Sequence, residues 1–474
     1  MKFVSTRGQA PALSFEGALL AALARDGGLY MPEAWPKLSP DAIAGLAGLD
    51  YADAAYRVMR PYLEGDPCLA DIEPVLEEAY GSFHHPAVAP LRQIAPNSFI
   101  LELFHGPTLA FKDLAMQVVA RLMNSALLRK GAHATVIGAT SGDTGAAAIE
   151  AFRGLEAIDI FILHPKRRVS DVQRRQMTTV LAPNVFNIAI EGTFDDCQDL
   201  VKAMFNDHRF RDELNLSAVN SINWARVMAQ TVYYVAAAVA LGAADRVVSF
   251  AVPTGNFGNV YAGYAARAMG VPIERLIVGS NRNDILTRFF ASGRMAIEAV
   301  HPSLSPSMDI QVSSNVERLL FDLYDRDGPA LAQAMASFRR NGQLAVGEER
   351  WKAARAVFDG YRFDDSETLQ AIAGLHRQTG EVVDPHSAIG VAAAHSAEQA
   401  GERTGDRGVA PIVALATAHP AKFPDAVERA TGHRPALPSH LADLLQRPER
   451  VEVLPNDLKT VEGYVRSRHL KGAA

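Results

Sequence analysis

The spacing of apolar positions divides the chain into two unlike parts. Up to about residue 92, apolar residues recur at helical intervals, as in FEGALLAALARD, and glycines and prolines interrupt them. From Phe99 onward, short apolar runs typical of buried strands alternate with segments that have the spacing of amphipathic helices. This alternation predicts a mostly parallel sheet covered by helices.

The alternating part contains clear pairs of a strand and a helix. Four of the strands read ATVIGAT, IDIFILH, NVFNIAI and RVVSFAV, and a helical segment follows each of them. Residues from about 315 to 378 are largely helical and charged, which indicates an insertion between strands before the alternation resumes. We therefore predict an α/β protein with a mostly helical N-terminal domain over 1–92, a main α/β domain over 93–435 and a C-terminal extension over 436–474.

The composition excludes several classes of protein. Of the 474 residues 48% are hydrophobic and 21% charged, and the net charge is -6, so neither nucleic acid nor an acidic membrane surface is expected as a partner. The two cysteines, Cys68 and Cys197, predict neither a disulfide framework nor a cysteine metal site and fit a reducing cytoplasm. The N-terminus does not read as a secretory signal, and the most apolar run, 232–244, is too short to cross a bilayer. We expect a cytoplasmic protein that binds a small molecule and no membrane.

Two glycine-rich turns each follow a predicted strand and open a predicted helix. They read GATSGDTGAAA over 138–148 and PTGNFGNVYAG over 253–263. Backbone N–H groups at such a helix N-terminus bind phosphate or carboxylate without a basic side chain. Neither turn matches a dinucleotide or P-loop motif, and one such turn alone is as well explained by a tight connection that needs glycine for packing. Two of them on one sheet favour a ligand with two anionic groups.

Lys112 stands in an apolar stretch, LFHGPTLAFKDLAMQ, at the start of a predicted helix. Apolar surroundings disfavour the ammonium form and so favour the neutral amine that forms an imine with a carbonyl cofactor. Taken alone, a surface lysine that pairs with Asp113 or Glu102 is the better interpretation. The two glycine-rich turns shift the balance towards the cofactor.

The strand in PIVALATAHP ends at Thr417. Ligands of a doubly wound sheet bind at the carboxyl ends of the strands, so this hydroxyl is a candidate ligand contact. The alternative is a hydroxyl that only caps the following turn. His386 and His419 have no partner at metal-ligand spacing, so we expect them to cap helices or to pack, and we expect no metal site.

Nine motifs follow one another along the chain. They are STRG…SF…ARDGGLYMP, HGPTLAFKD, TSGDTG, FDDCQ, NSINWAR, PTGNFGN, SNRND, SSNVER and TAHPAKF. In sequence and in order they resemble the threonine synthase family, and the resemblance covers most of the chain. The first, second and last of these motifs resemble the bacterial and fungal branch. The resemblance implies a pyridoxal-phosphate (PLP) enzyme of fold type II with two doubly wound α/β subdomains, in which Lys112 carries the cofactor as a Schiff base.

The resemblance also implies roles for individual residues. Thr417 would meet the pyridine nitrogen, and the cofactor phosphate would be held by Gly255, Asn256, Phe257, Gly258 and Asn259. The substrate carboxylate or the phenolic oxygen of the cofactor would be held by Thr140, Ser141, Asp143 and Thr144. Many fold type II relatives have asparagine in place of Asp143, which leaves its partner open. The substrate phosphate would be bound by Asn220, Ser221, Asn223 and Arg226.

The reaction implied by the resemblance converts O-phospho-L-homoserine and water into L-threonine and phosphate, the last step of threonine biosynthesis. PLP supplies an electron sink, and Lys112 moves protons once the substrate has replaced it on the cofactor. One alternative is another fold type II lyase, such as a threonine dehydratase or cysteine synthase, against which the STRG…DGGLY and NSINWAR segments argue. The other is a non-catalytic relative that binds PLP or a phosphorylated metabolite. We expect a monomer or a homodimer.

Overall fold

Two mainly parallel β-sheets form the centre of the protein. The structure is a computed structural model, and it describes residues 1–167, 169–218, 222–404 and 410–469. Of residues 402–404 only the backbone is described. One sheet has six strands and the other has five, and helices pack against both. Thr140, Thr254 and Thr417 each follow the last residue of a strand, so the predicted ligand-binding segments lie at the carboxyl ends of strands, where ligands bind in this class of fold. The expectation that both glycine-rich turns lie on one sheet is wrong, because Thr140 follows a strand of the five-stranded sheet and Thr254 follows a strand of the six-stranded sheet.

The N-terminal unit is mostly helical, as its apolar spacing predicts. Its elements are β1 (Phe3–Ser5), α1 (Phe15–Ala21), β2 (Tyr30–Pro32), α2 (Pro40–Ala44), α3 (Tyr51–Leu63) and α4 (Ile72–Gly81). Arg7 makes two hydrogen bonds of 3.0 Å to the carboxylate of Glu317, and Thr6 Oγ1 donates to the same carboxylate at 2.7 Å. These buried contacts join the STRG opening to the insertion that follows residue 315, far along the chain.

Residues 91–218 alternate between strands and helices. The elements are β3 (Leu91–Ala95), β4 (Ser98–Glu102), α5 (Lys112–Arg129), β5 (Ala134–Ala139), α6 (Asp143–Phe152), β6 (Ile158–Pro165), α7 (Asp171–Thr178), β7 (Val185–Glu191), α8 (Phe194–Asn206), α9 (His208–Glu213) and β8 (Leu216–Ala218). The strands predicted from ATVIGAT, IDIFILH and NVFNIAI are confirmed as β5, β6 and β7. Helix α5 begins at Lys112, as its sequence context predicts.

The alternation continues through the second half of the chain. The elements are α10 (Trp224–Ala240), β9 (Val248–Pro253), α11 (Gly258–Met269), β10 (Ile273–Ser280), α12 (Ile285–Ser292), β11 (Arg294–Ala296), α13 (Val316–Leu323), α14 (Gly328–Asn341), β12 (Gln343–Ala345), α15 (Glu348–Arg355), β13 (Phe358–Arg362), α16 (Asp365–Thr379), α17 (Pro385–Thr404), β14 (Ile412–Ala416), α18 (Pro424–Thr431), β15 (Glu452–Pro455) and α19 (Leu458–Arg468). None of the helices in the described ranges is long and apolar enough to span a bilayer.

The six-stranded sheet has the order β13–β10–β9–β14–β4–β3, and only the edge strand β3 runs antiparallel to its neighbour. The segment of about 315–378 contains the predicted helices, α13 to α16. It is not purely an insertion, however, because β13 lies inside it and pairs with β10 at the edge of the sheet. The five residues of β13 are too few to give a period that distinguishes a strand from a loop.

The five-stranded sheet has the order β15–β7–β6–β5–β8 and is parallel throughout. The segment predicted as a C-terminal extension contributes a strand to this sheet, because residues 452–455 form β15 and pair with 188–191 of β7. Val461 and Val465 of α19 are fully buried beneath the same sheet. The C-terminal region therefore completes this sheet, and its short apolar run carries no signal of which sheet edge it joins.

Candidate active site

The segments that carry Lys112 and Thr417, far apart in sequence, are joined by backbone hydrogen bonds. Phe111 N donates to Thr417 O at 2.9 Å, and His419 N donates to Leu109 O at 3.0 Å. Leu109 adopts a φ of 60°, in the left-handed region that non-glycine residues avoid. This constrained crossing places the first residue of α5 beside the end of β14.

The Lys112 side chain is buried and faces a carboxylate. Lys112 is 9% exposed, and its Nζ lies 3.6 Å from Asp143 Oδ2. Burial is the main cause that lowers the pKa of Lys112, and the charges of Lys422 and Arg226 add to it against the opposing charge of Asp143. The alternative of a surface lysine is therefore wrong. Its suggested partners are engaged elsewhere: the carboxylate of Asp113 accepts from Thr108, and Glu102 contacts His105.

Asp143 is shared by two lysines. Its Oδ1 lies 2.8 Å from Lys422 Nζ and accepts a hydrogen bond of 2.9 Å from Gln173 Nε2. Burial alone would raise the pKa of Asp143, but the charges of Lys422 and Lys112 outweigh burial and hold the pKa well below its ordinary range. Lys422 and Gln173 were not predicted as site residues. Lys422 belongs to the TAHPAKF motif, but no local pattern indicates that its side chain reaches Asp143.

The first glycine-rich turn is held by Thr140. Thr140 Oγ1 accepts hydrogen bonds from Gly142 N at 3.0 Å and from Gly145 N at 2.9 Å, so this hydroxyl shapes the turn. The hydroxyls of Ser141 and Thr144 are half-buried and have no hydrogen-bond partner among the described residues. In this turn, Ser141 and Thr144 therefore offer free side-chain donors, whereas Thr140 does not.

The second glycine-rich turn is anchored from beneath by α10. Tyr233 Oη and Tyr234 Oη both donate to Asn259 Oδ1, at 2.6 and 2.8 Å. Asn259 Nδ2 is buried and has no hydrogen-bond partner in the part of the chain that the structure describes. Phe257 has a φ of 64° at the N-terminus of α11, and its ring packs in the core against Phe358. Its backbone, and not its ring, is thus available at the ligand side of the turn.

Gly255 and Asn256 complete this turn. A Cβ at Gly255 would lie 2.8 Å from Ser307 O, so only glycine fits there. The carbonyl oxygens of both residues already accept hydrogen bonds: Ser313 Oγ donates to Gly255 O at 2.6 Å, and Asn315 Nδ2 donates to Asn256 O at 3.0 Å. The first helical hydrogen bond of α11 runs from Tyr261 N to Phe257 O, so the N–H groups of Gly258, Asn259 and Val260 have no partner within the helix. N–H groups in this position suit an anion.

The N-terminal end of α17, together with the preceding Asp384, supports the end of β14. Ser387 Oγ accepts from Thr417 N at 2.9 Å and donates to the buried carboxylate of Asp384. The same carboxylate lies 2.6 Å from His386 Nδ1. His419 Nδ1 accepts from Ala421 N at 3.1 Å, and burial lowers the pKa of His419 to about 4. The expectation that His419 caps a short helix is confirmed.

The predicted substrate-phosphate group is only partly described. Asn220 and Ser221 lie outside the described residues. Arg226 is 5% exposed on α10, and burial lowers its pKa to about 10. Asn223 is the N-cap of α10, where its Oδ1 accepts from Ala225 N, and its Nδ2 donates to Leu19 O at 2.8 Å. Much of the Asn223 side chain is thus already engaged in holding the fold.

Three family models match the chain in order. The model described as "Threonine synthase N terminus" matches residues 2–80, "Pyridoxal-phosphate dependent enzyme" matches 88–340, and "Threonine synthase, C-terminal" matches 387–465. The first and last of these models belong to the family that the motifs resemble, and together the three cover most of the chain.

Similar proteins agree over the whole length. Threonine synthase from Pseudomonas aeruginosa is 55% identical over 470 residues, which is 99% of this chain and 98% of that protein. The crystal structure of PLP-bound threonine synthase from Brucella melitensis has a TM-score of 0.96 at 53% identity, covering 99% of this chain and 100% of the other. The yeast threonine synthase structure has a TM-score of 0.92 at 37% identity, covering 98% of each chain. The chain therefore belongs to the threonine synthase family, within the PLP-dependent enzymes of fold type II.

Proposed function

We propose that the chain converts O-phospho-L-homoserine and water into L-threonine and phosphate, with PLP held covalently by Lys112. The observation that carries this proposal is a buried lysine with a lowered pKa, 3.6 Å from Asp143 of the first glycine-rich turn. The full-length similarity to threonine synthases supports it. The free Cys68 and Cys197 fit a reducing compartment, and we propose a cytoplasmic enzyme that is a monomer or a homodimer.

The residues present fit PLP on three counts. A covalent bond to the cofactor aldehyde requires a neutral amine, and burial favours that form of Lys112. A phosphate requires donors, and the start of α11 offers backbone N–H groups beside the buried, unused Nδ2 of Asn259. A pyridine ring requires a polar group at its nitrogen, and Thr417 lies at the end of β14 with its backbone fixed by Ser387.

Each part of the proposed site would have a distinct task. Residues 255–259 would hold the cofactor phosphate, and Thr417 would face the ring nitrogen. Bound PLP supplies an electron sink for negative charge that develops on the substrate. The Thr417 hydroxyl cannot hold a proton on the ring nitrogen as strongly as a carboxylate would, so the chain limits the strength of this sink. Ser141 and Thr144 would orient the substrate carboxylate.

Lys112 is the proposed acid and base. Once the substrate has displaced it from the cofactor, its amine can take the proton from the substrate Cα and return protons at later steps. Arg226 is the proposed clamp for the leaving phosphate, because a buried guanidinium supplies a charge-assisted and bidentate contact. The charge of Arg226 contributes to lowering the pKa of Lys112, which supports placing the proposed base and clamp in one site.

Phosphate and threonine measured together from O-phospho-L-homoserine test the proposal. We expect the two products in equal amounts. An α-keto acid formed in place of threonine, or activity on threonine itself, would support another fold type II lyase. A PLP-bound protein that forms none of these products would be a non-catalytic relative.

A further inference from the structure

Lys422 is the most completely buried cation next to Lys112. Its relative exposure is 0%, and Nζ lies 2.8 Å from Asp143 Oδ1 and donates to Thr108 O at 2.7 Å. A buried ammonium is costly unless it is paired and hydrogen-bonded, and here both conditions are met. Lys422 is thus built into the site.

The charges around Asp143 do not balance when both lysines are protonated. One carboxylate then faces two ammonium groups, at 2.8 Å for Lys422 and at 3.6 Å for Lys112. The shorter contact and the complete burial assign the carboxylate to Lys422. The group of three is neutral only when Lys112 carries no proton or has formed a neutral bond to a cofactor.

We propose that Lys422 is a positioning residue that occupies Asp143 and thereby leaves Lys112 free to act as a neutral amine. Without Lys422, Asp143 would retain the hydrogen bond from Gln173 and the influence of His386. Lys112, which also faces Arg226, would then be the nearest cation to pair with Asp143. That pairing would hold a proton on Lys112 and would compete with cofactor attachment and with proton transfer. The inference rests on the proposed function only in taking Lys112 as the attachment point of PLP.

A simpler role is a mechanical one. Through Thr108 O and Asp143, Lys422 connects three segments of the chain, so its loss could disturb the site without any effect of charge. The substitution Lys422→Gln separates the two roles, because an amide can still donate to Thr108 O but carries no charge. Asp143→Asn combined with Lys422→Gln removes both charges of the pair and keeps both polar groups.

The test measures how fast the full-length protein, freed of PLP, captures added PLP at Lys112 as a function of pH. Borohydride reduction followed by peptide mass spectrometry reports the capture. In Lys422→Gln we expect the profile to shift to higher pH by roughly one unit or more, because Asp143 then stabilises the protonated amine. In Asp143→Asn we expect a shift to lower pH. In the double variant we expect a return towards the wild-type profile.

Lys166→Met is the matched control. Lys166 also makes a carboxylate contact of 2.8 Å, to Glu191, but on the surface, so its removal should leave the profile unchanged. A mechanical role predicts a slower capture at every pH and no recovery in the double variant, and that result would overturn the inference. If Lys422→Gln does not fold, the comparison of the double variant with Asp143→Asn decides, since a double-variant profile at the same or lower pH than that of Asp143→Asn contradicts the charge argument. Phosphate release by the wild-type protein tests the proposed function separately.

Discussion

Tyr233 Oη donates a hydrogen bond of 2.6 Å to Asn259 Oδ1, so a helix in the core sets the orientation of an amide in the second glycine-rich turn. Tyr234 donates to the same oxygen at 2.8 Å and to Asn259 O at 3.0 Å. With its oxygen held in this way, the amide of Asn259 must direct Nδ2 away from α10. The two tyrosines therefore decide which group the turn presents to a ligand.

Removing these hydroxyls should weaken PLP binding through the orientation of Asn259. We expect Tyr233→Phe to lower the free energy of unfolding by about 0.5–1.5 kcal/mol and to weaken PLP binding only several-fold, because Tyr234 still holds the amide. The Tyr233→Phe/Tyr234→Phe double variant should weaken PLP binding by more than the product of the single effects, as the amide is then free to flip. Fluorescence titration of the PLP-free protein measures the affinities, and multiplicative effects would contradict the shared role.

Lys112→Ala should abolish covalent attachment of PLP and nearly all turnover, because only a primary amine can form the bond. Lys422 is the next lysine in the site, but its Nζ is engaged by Asp143 and Thr108 O and should not replace Lys112. Visible absorption and borohydride trapping of the purified variant check this expectation. A reducible PLP adduct on another residue would show that Lys112 is not the attachment point.

Much of the fold could be predicted from apolar spacing, because strands β5 to β7 and β9 are buried on both faces and read as continuous apolar runs. The predicted boundary at residue 435 hides the contribution of β15 to a sheet whose other strands all end at or before residue 218, while β15 begins at residue 452. Pairing over such distances leaves no local signal. The division into 1–92, 93–435 and 436–474 stays a prediction.

Residues of the candidate site could be predicted where the neighbouring sequence explains why that residue type is needed. Lys112 in apolar company and the glycines of the two turns are of this kind. The contacts of Lys422 and Gln173 with Asp143 depend instead on how separate segments pack, so spacing along the chain does not reveal them. Asn223 is the opposite case. Its motif implies a contact with the substrate phosphate, but the side chain caps helix α10.

Thr417→Asp should strengthen the electron sink. A carboxylate at the ring nitrogen raises the proton affinity of that nitrogen, so more of the reaction should end in an α-keto acid and less in threonine. Thr417→Val is the comparison, because it removes the hydroxyl at nearly the same volume without adding charge. The ratio of α-keto acid to threonine from O-phospho-L-homoserine is the measurement. An unchanged ratio in Thr417→Asp would mean that this residue does not face the ring.

Asp113 should make stability depend on pH between about 4 and 6. Burial raises the pKa of Asp113 to about 6, against the lowering effect of hydrogen bonds from Thr108. The unfolded chain loses this proton near pH 4 and the folded chain only near pH 6, so the contribution to stability falls as pH rises through this window. Two pKa units correspond to about 3 kcal/mol.

Asp113→Asn should remove this dependence. Relative to the wild type, the variant should gain up to about 3 kcal/mol in the free energy of unfolding between pH 4 and 6, on top of a constant loss from the altered hydrogen bonds. Urea unfolding at several pH values measures the difference. Asp425→Asn, at an exposed carboxylate, should show no such trend. A difference that stays constant with pH would contradict the raised pKa of Asp113.

Arg226→Ala should weaken recognition of the substrate phosphate and leave the cofactor in place. Arg226 is buried near Lys112, and a dianion in such a site calls for a charge-assisted donor with two parallel contacts. We expect kcat/KM to fall by roughly two or more powers of ten, because an unpaired buried charge costs several kcal/mol. The visible absorption of bound PLP should stay the same. Arg226→Lys should recover only part of the rate, since an ammonium cannot bind bidentately.

The affinity for an unreactive phosphonate analogue separates this role from a general loss of structure. Its binding, and inhibition by inorganic phosphate, should weaken in parallel with kcat/KM, because the same contact is lost in all three measurements. Arg282→Ala is the matched control: Arg282 is an exposed arginine in the SNRND motif, and its removal should have little effect on analogue affinity. If the Arg226→Ala protein binds the analogue normally and Arg282→Ala does not, the phosphate clamp must be assigned to Arg282 instead.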